Sequence, residues 1–209
     1  MNMKLPTRSA VSAMKVCAML LAMIPALFHI ALAGDITGKI KAKGAKNGGD
    51  AVVYIDSIPG KKFEAPKEHA KMDQRKLAFK PHVLPVLVGT TVDFLNSDDV
   101  LHNVFSPDQC SGKFNLGSWP KGHIKSFTFK EPGCNPTLLC NVHPEMEGYV
   151  IVLETPYFAV SDKDGSYTIK DVPPGKYTLK IWHEKLKGKD AQVEVPATGG
   201  ATADFEIHK

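Results

Sequence analysis

The chain has 209 residues, 43% hydrophobic and 23% charged, which supplies enough apolar material for one or two packed domains and excludes a disordered polypeptide. Lys and Arg total 26 against 22 Asp and Glu, but Lys4, Arg8 and Lys15 fall in a removable N-terminal segment, and the near-neutral remainder offers no basic face for nucleic acid. Seventeen Gly, fifteen Pro, ten Phe, five Tyr and two Trp favour short strands broken by turns, so an all-β fold is expected.

Residues 1–33 read as a signal peptide: a basic start, an apolar run from Val16 to Ile30, and Ala31-Leu32-Ala33 as an A-x-A cleavage site before Gly34. The run is about 15 residues, shorter than the roughly 20 that a bilayer span needs. The expected mature chain is therefore exported, periplasmic or otherwise outside the cytoplasm, with no membrane span. Cys17 leaves with the signal. Cys110, Cys134 and Cys140 remain. An odd count in an oxidising compartment leaves at least one thiol unpaired in the monomer, and metal ligation would protect it.

In chain order, strands are expected at 36–42 and 51–55, followed by a junction at Pro59-Gly60-Lys61-Lys62. A middle region carries strand candidates at 76–79, 85–88, 90–95, 103–105, 125–129, 137–140 and 148–153. Thr91-Val92-Asp93-Phe94-Leu95 and Ser126-Phe127-Thr128-Phe129 alternate with the period of two that buries one strand face. About seven short strands in about 90 residues suggest a Greek-key sandwich. Beyond Glu154-Thr155-Pro156 come strands at 157–161, 166–170, 177–183, 192–195 and 203–207, separated by Gly- and Pro-bearing turns.

The stretch Ile36-Thr37-Gly38-Lys39-Ile40 through Ala51-Val52-Val53-Tyr54 resembles the opening of carboxypeptidase-regulatory-like (transthyretin-like) modules. Asp162-Lys163-Asp164-Gly165-Ser166-Tyr167 and Val172-Pro173-Pro174-Gly175-Lys176-Tyr177-Thr178-Leu179 resemble their remainder. The resemblance implies a second, smaller β-sandwich built from 34–60 and 156–209, with the middle region, 61–155, inserted between its strands.

The chemistry concentrates in Cys140-Asn141-Val142-His143-Pro144-Glu145-Met146. A soft thiolate, an imidazole and a thioether at C-x2-H-x2-M spacing suit a copper ion that changes oxidation state. A second imidazole is available in His102, in the segment after the 90–95 strand. Taken singly, His102 reads as a structural residue and Met146 beside Tyr149-Val150-Ile151 as core filler. Zinc is the competing metal, although Met is a poor zinc ligand.

Gly89-Thr90-Thr91-Val92-Asp93-Phe94-Leu95-Asn96, then His102-Asn103-Val104, then the Cys140 loop resemble the pattern of the cupredoxins, and the short loop with Pro144 after its His is most similar to the amicyanin/plastocyanin-like type. Two-part chains of this arrangement are sometimes labelled methylamine-utilisation proteins. The resemblance implies a Greek-key cupredoxin β-sandwich and one mononuclear type 1 copper site, with His102, Cys140 and His143 equatorial and Met146 axial. It also implies that Asn103 ties the two ligand segments together. Pro144 lacks an N–H and so removes one possible donor to the Cys140 sulfur. If Cys140 holds copper, Cys110 and Cys134 remain as a pair, either bonded to each other or free.

A copper ion enclosed by four protein ligands has no open position for substrate. The function expected is single-electron transport, not catalysis, with a redox protein partner such as a c-type cytochrome or a dehydrogenase/oxidase. The alternative is a copper-binding or delivery protein without fast electron transfer. His69, His82, His123, His183 and His208 have no ligand-like companions at short spacing and read as surface or turn residues. Asp98 and Asp99 read as turn residues, as does the hairpin sequence around Asp164.

Overall fold

The computed structural model describes Met1 and residues 32–45 and 47–209; the expected signal segment lies, apart from its ends, outside the described residues. Among the described residues there are eighteen strands, one 3-10 turn at Gln109–Ser111, and no helix long and apolar enough to cross a membrane. The protein is all-β, and its strands build two β-sandwiches.

In the first sandwich, Thr91–Asn96 is the central strand of one sheet. Its residues alternate between half-buried and buried, which turns Val92, Phe94 and Asn96 inward. Thr91–Asn96 pairs parallel with Ala70–Gln74 and antiparallel with Ile124–Thr128, and Phe79–Lys80 closes the far edge. The facing sheet runs Val83–Leu87, Glu147–Leu153, Thr137–Leu139, His102–Phe105, Asn115–Trp119. Met72, Phe79, Phe94, Leu138 and Val150 fill the space between the sheets. Each such side chain stabilises the fold by about 1.5–3 kcal/mol through removal of apolar surface from water.

Several details differ from the sequence expectations. Ala70–Gln74 is a strand that was not expected, and of the 76–79 stretch only Phe79 lies in a strand: Lys76 and Leu77 are left-handed, with φ of 57° and 53°. They form a hairpin turn between Ala70–Gln74 and Phe79–Lys80, closed by the Arg75 N–H donating to the Ala78 carbonyl at 3.0 Å. The strand Asn115–Trp119 was not expected, because Gly117 (φ 73°) breaks its apolar alternation and its pairing with His102–Phe105 is irregular.

In the second sandwich, Gly34–Lys43 lies between Ser166–Val172 and Phe205–His208, with Lys187–Gly188 outermost and Ala201–Thr202 also paired to Gly34–Lys43. Facing it, Val52–Ile55 pairs with Phe158–Val160 and Gly175–Trp182, and the latter with Ala191–Val195. Ile36, Ile55, Ile169, Leu179 and Ile207 form its core. The chain's first strands therefore pair with its last, and residues 61–155 lie between them in sequence. Where the two sandwiches meet, Val52 packs with Val83, Ile151 and Leu153, and Tyr149 tilts onto Trp182 with ring centroids 5.2 Å apart.

Candidate metal centre

His102 opens the strand His102–Phe105 and is completely buried. One neighbouring strand sets it opposite Trp119, and the other pairs Phe105 with Leu139, one residue before Cys140. That pairing brings the start of one strand beside the end of the other. Cys140 is buried and unpaired. After it the chain turns back, closed by the Met146 N–H donating to the His143 carbonyl at 3.0 Å, and His143 is half-buried.

The result is a cluster of three donor atoms, from His102, Cys140 and His143, all within 4.8 Å of one another. Nδ1 of His102 lies 3.1 Å from Nδ1 of His143 and 4.0 Å from Sγ of Cys140. Three donors at these separations suit one ion bound at about 2.0–2.3 Å from each. Two imidazole nitrogens and a thiolate are the equatorial set of a blue-copper site. The residues present therefore fit a copper ion. Met146 is buried in the same apolar cluster as Cys140.

Asp98 orients the buried imidazole. Its Oδ2 lies 3.0 Å from Nε2 of His102, so Nε2 carries the proton and Nδ1 presents a lone pair toward Cys140 and His143. The carboxylate also accepts the backbone N–H groups of Lys76 at 2.7 Å and Leu77 at 2.9 Å. Burial alone would raise its pKa, but the Leu77 and Lys76 amides and His102 outweigh burial and hold it at about 2. Asp98 is the site residue the sequence reading missed. The available signal was an acid four positions ahead of a candidate ligand.

Asn103 spans the two segments. Its N–H donates to the Cys140 sulfur at 3.4 Å, and its Oδ1 accepts the Asn141 N–H at 3.2 Å. Its Nδ2 donates to Asn115 Oδ1 at 2.8 Å and to the Gly117 carbonyl at 2.9 Å, which locks the side chain. Pro144 is exposed on the loop and contributes no N–H. Exposed apolar side chains flank the cluster in sequence: Leu77, whose amide holds Asp98, Val100 and Leu101 before His102, and Val142 before His143.

Cys110 and Cys134 form a disulfide, with Cα atoms 5.6 Å apart. The other described histidines stand apart from the cluster. His69 Nδ1 is 2.9 Å from Asp93, and His82, a partly exposed bend residue, has its Nε2 3.4 Å from Glu184. Asp164 accepts the Ser166 N–H within its turn.

A family model described as polysaccharide lyase family 4, domain II matches residues 153–204. The matched residues fall almost entirely on the second sandwich. No curated protein matches the chain. Among similar solved structures, the reduced state of an amicyanin mutant is 30% identical, with 47% of this chain and 98% of that chain covered and a TM-score of 0.38. A purple cupredoxin from Nitrosopumilus maritimus is 29% identical, covering 40% of this chain and 98% of that one, TM-score 0.36. The copper-containing nitrite reductase from Thermus scotoductus SA-01 is 28% identical over 48% of this chain, TM-score 0.40, and the chain spans a quarter of its length. By strand order and by the meeting of His102, Cys140 and His143, the first sandwich of this chain is a cupredoxin-like β-sandwich.

Proposed function

We propose that the protein is an exported type 1 copper protein that carries single electrons between redox partners. Nδ1 of His102, Sγ of Cys140 and Nδ1 of His143 would hold the ion, with Met146 as a fourth ligand. Copper bound there supplies a one-electron Cu(I)/Cu(II) couple. The surrounding residues do the rest. Asp98 holds the His102 tautomer, Asn103 donates to the thiolate sulfur and stabilises its negative charge, and burial of His102 and Cys140 excludes water. With four protein ligands no position remains for a substrate, so the reading is of a carrier and not an enzyme. His143, half-buried and flanked by exposed Val142 and Pro144, is the edge through which a partner such as a c-type cytochrome or a dehydrogenase/oxidase would exchange electrons. The second sandwich, 34–60 with 156–209, would act as the mount.

The observation that carries this reading is the 4.8 Å convergence of two imidazoles and one free thiol in a largely buried site. Copper(II) added to the purified protein should give one equivalent bound and an intense thiolate-to-copper charge-transfer band. Cys140→Ser and His143→Ala should each abolish that band. A reversible voltammetric wave with slow copper loss to a chelator supports the carrier; ready release without a wave assigns delivery instead. A protein that takes zinc but shows no copper band overturns the proposal.

A further inference from the structure

The strand that opens with His102 and the strand that leads into Cys140 share little main-chain pairing. His102–Phe105 and Thr137–Leu139 have one registered pair, Phe105 with Leu139, whereas Thr137–Leu139 matches Glu147–Leu153 over three. At the site end the shortfall is met by Asn103, through its contacts to Cys140 and Asn141. At the opposite end two links stand out. Asp108 Oδ2 accepts the Thr137 N–H at 2.7 Å, and the Cys110–Cys134 disulfide bonds the turn that follows His102–Phe105 to the segment that enters Thr137–Leu139.

That turn, Gln109–Ser111, buries none of its own residues, so it has no apolar anchor of the kind that fixes most loops. Cys134 is anchored: it is buried, and its carbonyl accepts the Val152 N–H at 3.0 Å. The disulfide thus fastens a turn without an apolar anchor to the fixed segment that leads into Thr137–Leu139. Cys110 is exposed, and both cysteines line an open cavity of about 810 Å³ with Gln109, Phe127, Lys130 and Glu131. A thiol reagent can approach Cys110 from solvent while Cys134 stays covered.

We infer that the Cys110–Cys134 disulfide is a reducible brace that keeps His102 in register with Cys140, so that metal retention depends on the thiol–disulfide state of this pair. The inference rests on the copper reading above. A dithiol reductant is the reaction partner. Its thiolate attacks the sulfur of Cys110, the more exposed residue of the pair, the S–S bond breaks, and Cys134 leaves as a thiolate that takes a proton. The second thiol of the reductant then releases Cys110. The two cysteines gain two electrons and two protons, and the dithiol becomes a disulfide. Once parted, the 109–111 turn no longer ties the His102 strand at its far end, and Asn103 must hold the register with the Phe105–Leu139 pair and Asp108.

The test compares hydrogen exchange in the metal-free full chain with that of the Cys110→Ala/Cys134→Ala variant. The amides read are those of Asn103 and Asn141, which bond across the site. Leu179→Ala, in the core of the other sandwich, controls for general loss of stability. The brace predicts exchange at Asn103 and Asn141 at least about tenfold faster in the cysteine variant than in a Leu179→Ala protein of equal melting temperature. Copper(I) transfer to a chelator should accelerate alongside it. Equal protection of the two amides in the cysteine variant and the control overturns the proposal. If the variant does not fold, the intact protein is reduced with a water-soluble phosphine until two new thiols titrate, and the same amides are read; unchanged protection overturns it again. Failure of the disulfide-intact protein to bind copper defeats the copper reading alone, while the amide exchange still decides the brace.

Discussion

The Asp98 carboxylate stands 3.0 Å from Nε2 of His102, behind an imidazole whose other nitrogen faces the Cys140 sulfur at 4.0 Å. One side chain thereby fixes both the tautomer and the direction of the buried donor. Asp98→Asn removes the charge and keeps an oxygen for only one of the Lys76 and Leu77 amides, which bond to different carboxylate oxygens. It should lower copper affinity about 10–100-fold. Competition against a chelator of known affinity measures this, and wild-type affinity in the variant would remove Asp98 from the site.

Glu184 joins the sandwiches through His82 at 3.4 Å. Burial pushes its pKa up, but Lys185 and then His82 pull it down further, so the net displacement is below its ordinary value of 4.5. A carboxylate lowered on folding contributes stability that is complete above its unfolded value and lost as pH falls through its folded value. The metal-free protein should therefore lose stability in acid below about pH 4.5, and Glu184→Gln should flatten that part of the curve. Urea midpoints taken from pH 7 to 3 check it; a parallel curve for the variant counts against the contact.

Ile151 is fully buried among Val52, Val83 and Leu153, where the two sandwiches share apolar surface. Ile151→Ala should cost about 2–5 kcal/mol through lost burial and the cavity left behind. Trp119 lies in the first sandwich and Trp182 at the boundary of the second, so single-tryptophan variants report on each. Both fluorescence midpoints should fall together, and a drop in one alone would show the sandwiches unfolding independently.

Gly148 follows Met146 by two residues, and a Cβ there would lie 2.8 Å from Cβ of Phe79. Neither atom sits at the end of a flexible side chain, so Gly148→Ala must move a strand. The substitution should cost about 1–3 kcal/mol, as overpacking does, and should alter the copper charge-transfer band through displacement of the Met146 segment. Thermal melting with an optical spectrum of the same sample tests both effects.

Much of the fold is legible in local patterns. Thr91–Asn96 alternates visibly, and the turns that flank the later strands carry the Gly and Pro residues their backbones require. The reading fails where a short-range pattern misleads. Lys76 to Phe79 looks like a strand, but two left-handed residues turn their amides to Asp98, twenty-one and more positions away. Asn115–Trp119 was missed because its partner, not its own alternation, holds it in the sheet.

By itself the sequence determined the all-β class and pointed to the short loop that carries Cys140 and His143, because strand period and the spacing within that loop are properties of neighbouring residues. Tertiary structure alone decided which groups face one another. The parallel pairing of Ala70–Gln74 with Thr91–Asn96 sets the 75–78 turn against Asp98, and the single Phe105–Leu139 pair sets His102 beside Cys140. Contacts of that kind depend on strand register between distant segments, which side-chain chemistry along the chain does not specify.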